Sequence, residues 1–259
     1  MPRSSFTAVL AGLALAAGTT SLLAQQPQSK WKPDDPNRPH PPIVTPGPAG
    51  APVPPPSDAV VLFDGKDLSE WMAADSGPAK WKVQDGYVEI VPGTGTMLSR
   101  RKFGSFQLHL EFREPTPPEG EGQERGNSGV FLMSHYEIQL LDSYDNVTYA
   151  DGQAGAVYGQ TPPLVNPARK PGEWQKYDIV FHRPIFNTDG SIERDAHVTV
   201  FFNNVLVQDN TDIWGWTVDH AVAHYKPHPD KMPLGLQDHG FRLRFRDIWV
   251  RPLPDDESR

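Results

Sequence analysis

Four short clusters in the 259-residue chain carry side chains of the types that grip hydroxyls or move protons. In Gly126-Asn127-Ser128-Gly129, Asn127 stands at the entrance to an apolar run, where its amide can bind a substrate hydroxyl. The same four residues also suit an ordinary turn, because Asn and Gly tolerate positive φ. In Tyr136-Glu137-Ile138-Gln139-Leu140-Leu141-Asp142, an extended chain puts Glu137 and Gln139 on one face and Ile138 and Leu140 on the other. That pair can hold adjacent hydroxyls, Asp142 follows at the strand end, and Glu137 can serve as an acid or base. A strand whose polar side meets water reads the same way. In Gly155-Ala156-Val157-Tyr158-Gly159, small residues flank Tyr158 and let backbone approach a partner closely, or simply form a tight loop. In Gln237-Asp238-His239-Gly240, a turn at the mouth of a strand holds an imidazole, the side chain that exchanges protons near neutral pH. Asp238 either orients that ring or stabilises the turn. His220, His224 and His228 have the spacing of metal ligands on a helix, but Pro227 and Pro229 break a helix there, and residues 214–233 read as a long loop.

The elements that must position these groups are strands. Phe106, Leu108, Leu110 and Phe112 alternate with Gln107, His109, Glu111 and Arg113. Asp85-Gly86 joins two short apolar runs, a strong hairpin signal, and Asn203-Asn204 separates another two. Residues 241–250 alternate apolar side chains with Arg242, Arg244 and Arg246. No segment keeps a helical period beyond about two turns. Many short strands with Gly, Pro, Asn and Asp between them predict an all-β sandwich or jelly roll. The polar sides of these strands carry His109, Glu111, Arg113, Glu137, Gln139, Arg244 and Arg246. A concave sheet lined this way is a plausible sugar cleft, and a salt-bridged outer face is the plainer alternative. The expectation is that Glu111, Arg113, Glu137, Gln139 and Arg244 share one sheet face around a single cleft.

Composition sets the surroundings. Met1–Ala24 has a basic start, an apolar run and a small residue before Gln25, the pattern of a secretory signal and too short to span a bilayer. Residues 25–57 hold twelve prolines and few large apolar groups, which predicts a mobile Pro-rich N-terminal tether, with room for part of it, around Trp31, to lie against the domain. Residues 58–254 then form one domain, followed by a tail over 255–259. With no cysteine, disulfides, thiolate metal sites and lipidation at a signal cysteine are excluded, and a bacterial periplasmic or secreted protein is expected. The net charge is −8 and no long basic run is present, so no nucleic-acid partner is expected. Nor is a membrane span expected in the mature chain.

From about Val60 to Leu253 the sequence resembles the 3-keto-disaccharide hydrolase family, once catalogued only as a domain of unknown function. Its landmarks are Leu62-Phe63-Asp64-Gly65, Asn127-Ser128-Gly129, Tyr136-Glu137-Ile138-Gln139, Gly155 to Gly159, Gly172-Glu173-Trp174-Gln175 and Gln237-Asp238-His239-Gly240, in that order. The closing Arg-Phe-Arg-Asp-Ile-Trp-Val-Arg-Pro-Leu run completes the pattern, while residues 214–233 diverge. The resemblance implies a concanavalin-like jelly-roll β-sandwich acting on a 3-keto-glucoside or related oligosaccharide, as lyase, hydratase or net hydrolase. A ketone at C3 acidifies the C2 hydrogen; a base removes it, the aglycone leaves from C1, and water adds back. On this reading His239 is the leading base and Glu137 its rival. Glu111, Arg113, Asn127, Gln139, Asp142, Tyr158, Gln237, Asp238, Arg244 and Arg246 are candidates to contact substrate. No cofactor is demanded, although the carboxylates and His239 permit a divalent metal cation that polarises the keto–enol pair.

Two other functions stay open. A carbohydrate-binding module needs platforms and clamps but no imidazole beside a carboxylate. A conventional jelly-roll glycosidase of the laminarinase type carries Glu-x-Asp-x-(x)-Glu on one strand, whereas Glu137-x-Gln139-x-x-Asp142 has an amide at the centre.

Overall fold

The computed structural model describes residues 29–255; the expected signal sequence and all but the first residue of the C-terminal tail lie outside the described residues. In chain order the strands are β1 (Val60–Phe63), β2 (Trp71–Ala73), β3 (Lys82–Gln84), β4 (Tyr87–Glu89), β5 (Met97–Phe103), β6 (Phe106–Arg113), β7 (Ser128–Leu132) and β8 (Tyr136–Leu140). They continue as β9 (Gln175–His182), β10 (Ile185–Phe186), β11 (Ile192–Arg194), β12 (Ala196–Phe202), β13 (Val205–Ile213), β14 (Met232–Leu236) and β15 (Arg244–Pro252). Among the described residues the only helical pieces are two short 3-10 turns, so the all-β expectation holds.

Eight strands form one sheet in the order β13-β12-β9-β6-β15-β4-β3, with β1 also pairing β15, and five form a second in the order β2-β5-β14-β7-β8. Every strand pairing is antiparallel. The two sheets stack as a jelly-roll sandwich. The alternation in β6 sends Phe106, Leu108, Leu110 and Phe112 inward, where all are buried. Tyr136, Ile138 and Leu140 of β8 meet them from the opposite sheet in one continuous core. Tyr136 packs on Phe181 of β9 with ring centroids 5.8 Å apart. Each such large apolar side chain stabilises the fold by about 1.5–3 kcal/mol. The hairpin expectations hold: Asp85 and Gly86 both have positive φ, as do Asn203 and Asn204, the backbone that suits right-twisted strands.

Two expectations are corrected. First, Glu111 and Arg113 of β6 and Arg244 and Arg246 of β15 belong to the eight-stranded sheet, whereas Glu137 and Gln139 of β8 belong to the five-stranded one. All six point away from the shared core, so they occupy opposite outer faces of the sandwich and do not line one cleft. Period-2 alternation assigns faces within a strand but is silent on which sheet the strand joins. The expected regular alternation of β15 is also broken. A bulge at Asp247, whose φ is +50°, shifts the register against β6 and lets Ile248 and Val250 stay buried while Trp249 turns outward onto His109.

Second, the described part of the Pro-rich segment is not a free tether. It lies along the domain: Val44 N–H donates to the Asn166 carbonyl (3.0 Å) and Asn166 N–H donates to the Pro42 carbonyl (2.9 Å). Arg169 donates to the Gly47 carbonyl, and the Trp249 indole donates to the Val53 carbonyl. Proline removes donors but leaves its carbonyls free, and its fixed φ lowers the entropy lost on docking.

Candidate functional site

The outer face of the five-stranded sheet carries a cleft of about 270 Å³ lined by Asn127, Phe131, Glu137, Gln139, Tyr158, Thr217, Asp219, Gln237 and His239. Six of these were expected by their chemistry as binding or catalytic groups; Phe131, Thr217 and Asp219 were not. The strand β8 presents Glu137 and Gln139 outward, and the loop after it doubles back along the same edge. Gln139 N–H donates to the Ala156 carbonyl and Tyr158 N–H to the Glu137 carbonyl, so the small residues of that loop bring Tyr158 beside Glu137. From the core side, the Tyr177 hydroxyl donates to the Gln139 carbonyl (2.7 Å), tying the two sheets together under the cleft.

Glu137 is only 5% exposed. Burial, and secondly the nearby charge of Asp219, push its carboxyl up to about 8. At neutral pH it is mostly protonated and able to donate. Gln139 donates to the Gln123 side chain (2.9 Å) and to Asn127 Oδ1 (3.4 Å), and Asn127 donates to the Gln123 carbonyl (2.9 Å). This amide chain fixes their orientations. The side-chain oxygens of Gln139 and Gln237 are buried and accept no hydrogen bond from a described residue. Such orphaned acceptors cost about 1–3 kcal/mol each. Two of them in one cleft suit a ligand rich in hydroxyl donors.

Tyr158 donates to Asp219 Oδ1 (3.0 Å) and lies 2.7 Å from the Tyr149 hydroxyl; burial raises its pKa well above the usual phenol value. Thr217 Oγ1 accepts the Glu137 N–H (2.9 Å). His239 stands exposed on the rim, its ring parallel to that of Phe241. Asp238 does not orient that ring: its carboxylate accepts the N–H groups of Gly95 (2.9 Å) and Gly240 (3.0 Å) and so shapes the turn.

The remaining expected residues lie elsewhere. Asp142 pairs with Arg125 at 2.7 Å and lines a neighbouring cavity of about 430 Å³ with Arg113 and Arg244. Glu111 pairs with Arg246, and Glu89 with Arg244, on the far sheet face. Arg113 and Arg246 stack on Trp174 there. His109 is buried, hydrogen-bonded to Asp178 and stacked on Trp249, which is a structural role. His220, His224 and His228 do not converge: His220 meets Asp34 and His228 meets the Tyr136 hydroxyl. Among the described residues no group of three or more His, Cys, Asp or Glu side chains is arranged to hold a metal ion. Phe131 was hidden as one apolar residue among many in β7, and Thr217 and Asp219 sit in a loop without periodicity.

A family model described as a 3-keto-alpha-glucoside-1,2-lyase-like domain matches residues 58–251. A solved structure from Parabacteroides distasonis, described as a candidate glycosyl hydrolase, is 45% identical, with a TM-score of 0.76 over 83% of this chain and 93% of its own. A second protein of that organism and description is 20% identical, with a TM-score of 0.54 over 76% of this chain and 94% of its own, and is alike in fold. No curated protein matches the chain.

Proposed function

The chain belongs to the 3-keto-alpha-glucoside-1,2-lyase-like family, and from that premise we propose that it cleaves 3-keto-glucosides by proton abstraction at C2 and expulsion of the aglycone from C1. The observation that carries this reading is one cleft holding a buried carboxyl raised to about 8, Glu137, together with an exposed imidazole, His239. A buried acid held mostly protonated at neutral pH and an imidazole on the rim divide the labour of an elimination. His239 takes the C2 proton. Glu137 donates to the departing aglycone oxygen as the C1–O bond breaks. The product is a 3-keto-2-hydroxyglucal; water then adds at C1 and a proton returns to C2, so the net outcome is hydrolysis. Asn127, Gln139 and Gln237 grip the ring hydroxyls, Phe131 offers an apolar surface, and Tyr158 closes the wall beside Glu137.

Asp219 favours a second reading. It is a second carboxylate in the cleft, and a conventional glycosidase uses two. Its side chain is 74% exposed and already accepts the Tyr158 hydroxyl, which suits holding the wall better than attacking a sugar. As the signal pattern suggests, the enzyme works outside the cytoplasm; among the described residues no helix is long and apolar enough to cross a membrane.

Product analysis on a 3-keto-glucoside beside its unoxidised parent, in deuterated water and with and without a chelator, tests the proposal. Cleavage of the ketone alone, with deuterium at C2 of recovered material, is expected. Turnover of the plain glucoside at a comparable rate overturns the keto route and supports the Glu137–Asp219 pair.

A further inference from the structure

One wall of the cleft, hydrogen-bonded along the edge of β8 through Thr217, is a loop that lacks regular structure. Residues 214–225 deliver Thr217 and Asp219 to the cleft. The loop is held at its base: Trp214 N–H donates to the Gln160 side chain (2.7 Å) and Trp216 N–H to the His224 carbonyl (3.1 Å). Gly215 permits this turn, since its φ is +137° and a β-carbon there would lie 2.1 Å from the His224 carbonyl carbon. Beyond the base, the tip carrying Asp219 and His220 is exposed.

That tip is met by the Pro-rich segment. The His220 Nδ1 lies 2.5 Å from Asp34 Oδ2, and Asp34 N–H donates to Asp151 Oδ2 (3.3 Å). Arg38 anchors the same stretch, donating to Asp151 (3.3 Å) and to the Gln160 carbonyl (2.8 Å). Asp34 adopts a φ of +58°, a left-handed conformation that Asp reaches more readily than most side chains. Its side chain is 8% exposed, and burial first, with the like charge of Asp151 second, raises its pKa. A desolvated carboxylate beside a like-charged neighbour costs folding free energy. The Asp34 carboxylate meets His220, next in sequence to Asp219.

We propose that Asp34, outside the family-matched residues 58–251, is a positioning residue for the cleft. Through His220 it fixes the loop tip so that Asp219 meets Tyr158 and Thr217 meets Glu137. The Pro-rich segment is then a working part of the enzyme's binding site. This rests on the cleft being the site of 3-keto-glucoside cleavage, but its first readout does not.

The test uses the full chain with Asp34→Ala, Asp34→Asn and His220→Ala, read by backbone hydrogen exchange and by kinetics on a chromogenic 3-keto-glucoside. His220 is largely exposed, but it also lies 3.6 Å from Asp219 and edge-on to Tyr149, so Asp34→Ala is the cleaner break of the contact. Asp34→Ala and His220→Ala are each expected to speed exchange over residues 215–221 by about tenfold. Both should lower kcat by about tenfold with KM within about twofold, because a displaced wall misplaces the reacting groups rather than abolishing binding. Asp34→Asn keeps an acceptor for His220 and should restore both readouts to within about threefold of wild type. Unchanged exchange over residues 215–221 in both alanine variants overturns the proposal, as does faster exchange with unaltered kcat. If wild type leaves the 3-keto-glucoside intact, the functional reading fails, while exchange still decides whether Asp34 holds the loop.

Discussion

A β-carbon at Gly129 would lie 2.2 Å from Oε1 of Glu137. The glycine in β7 is therefore the space that the Glu137 carboxyl occupies on the neighbouring strand, and its backbone needs no positive φ to justify it. Gly129→Ala forces Glu137 to move toward the mouth of the cleft. Its kcat/KM should fall by about 10²-fold, with a stability loss of about 1–3 kcal/mol for the overpacked site. Kinetics and thermal unfolding on one preparation check both numbers; near-normal activity would place the reacting acid elsewhere.

Glu137 should also leave a mark on stability against pH. Its carboxyl is raised from the ordinary 4.5 to about 8, by burial first and Asp219 second. A raised carboxyl stabilises the fold fully below its unfolded pKa, and that contribution is lost as pH rises from about 4.5 through about 8. Glu137→Gln removes the ionisation, so it should raise Tm relative to wild type at pH ~9 and change it little at pH ~4. Glu114, raised to about 8 by the same cause, persists in both proteins and cancels in the difference. Equal Tm differences at the two pH values would show that Glu137 titrates normally.

Much of this was legible in the residues. The alternation of Phe106 to Phe112, the Asp85-Gly86 and Asn203-Asn204 turns, and the shared face of Glu137 and Gln139 follow from local geometry. What was not legible is long-range. Nothing in Tyr136 to Leu140 says that the strand pairs with β7 rather than with β6, so Glu137 was grouped with Glu111. The bulge at Asp247 depends on how β15 registers against β6. Asp219 reaches the cleft on a loop whose tip meets Asp34 of the Pro-rich strap, and no period encodes either path.

That regrouping makes its own prediction. Glu111 and Arg246 are 2.6 Å apart on the outer face of the eight-stranded sheet, away from the cleft. Glu111→Gln weakens a charge-assisted pair and should cost about 1–2 kcal/mol of stability. Its kcat and KM on a 3-keto-glucoside should stay within about twofold of wild type. A tenfold loss of kcat in a folded protein would return the chemistry to that face.

His239 is the remaining case, and its exposure makes it a clean one. The ring stacks on Phe241 and its turn is held by the backbone contacts of Asp238, so His239→Ala removes the imidazole without touching the core. General-base assistance contributes about 10²–10⁴-fold. The variant should lose about that much in kcat at unchanged Tm, and exchange of the C2 hydrogen with deuterated solvent should fall in step. Glu137→Gln behaves differently if Glu137 is the acid: aglycone release slows, yet C2 exchange continues, because proton abstraction by His239 does not require it. Leaving groups of low pKa, which depart without a proton, should recover most of the Glu137→Gln loss and none of the His239→Ala loss. C2 exchange that survives His239→Ala and vanishes in Glu137→Gln would reverse the two roles and make the buried carboxylate the base.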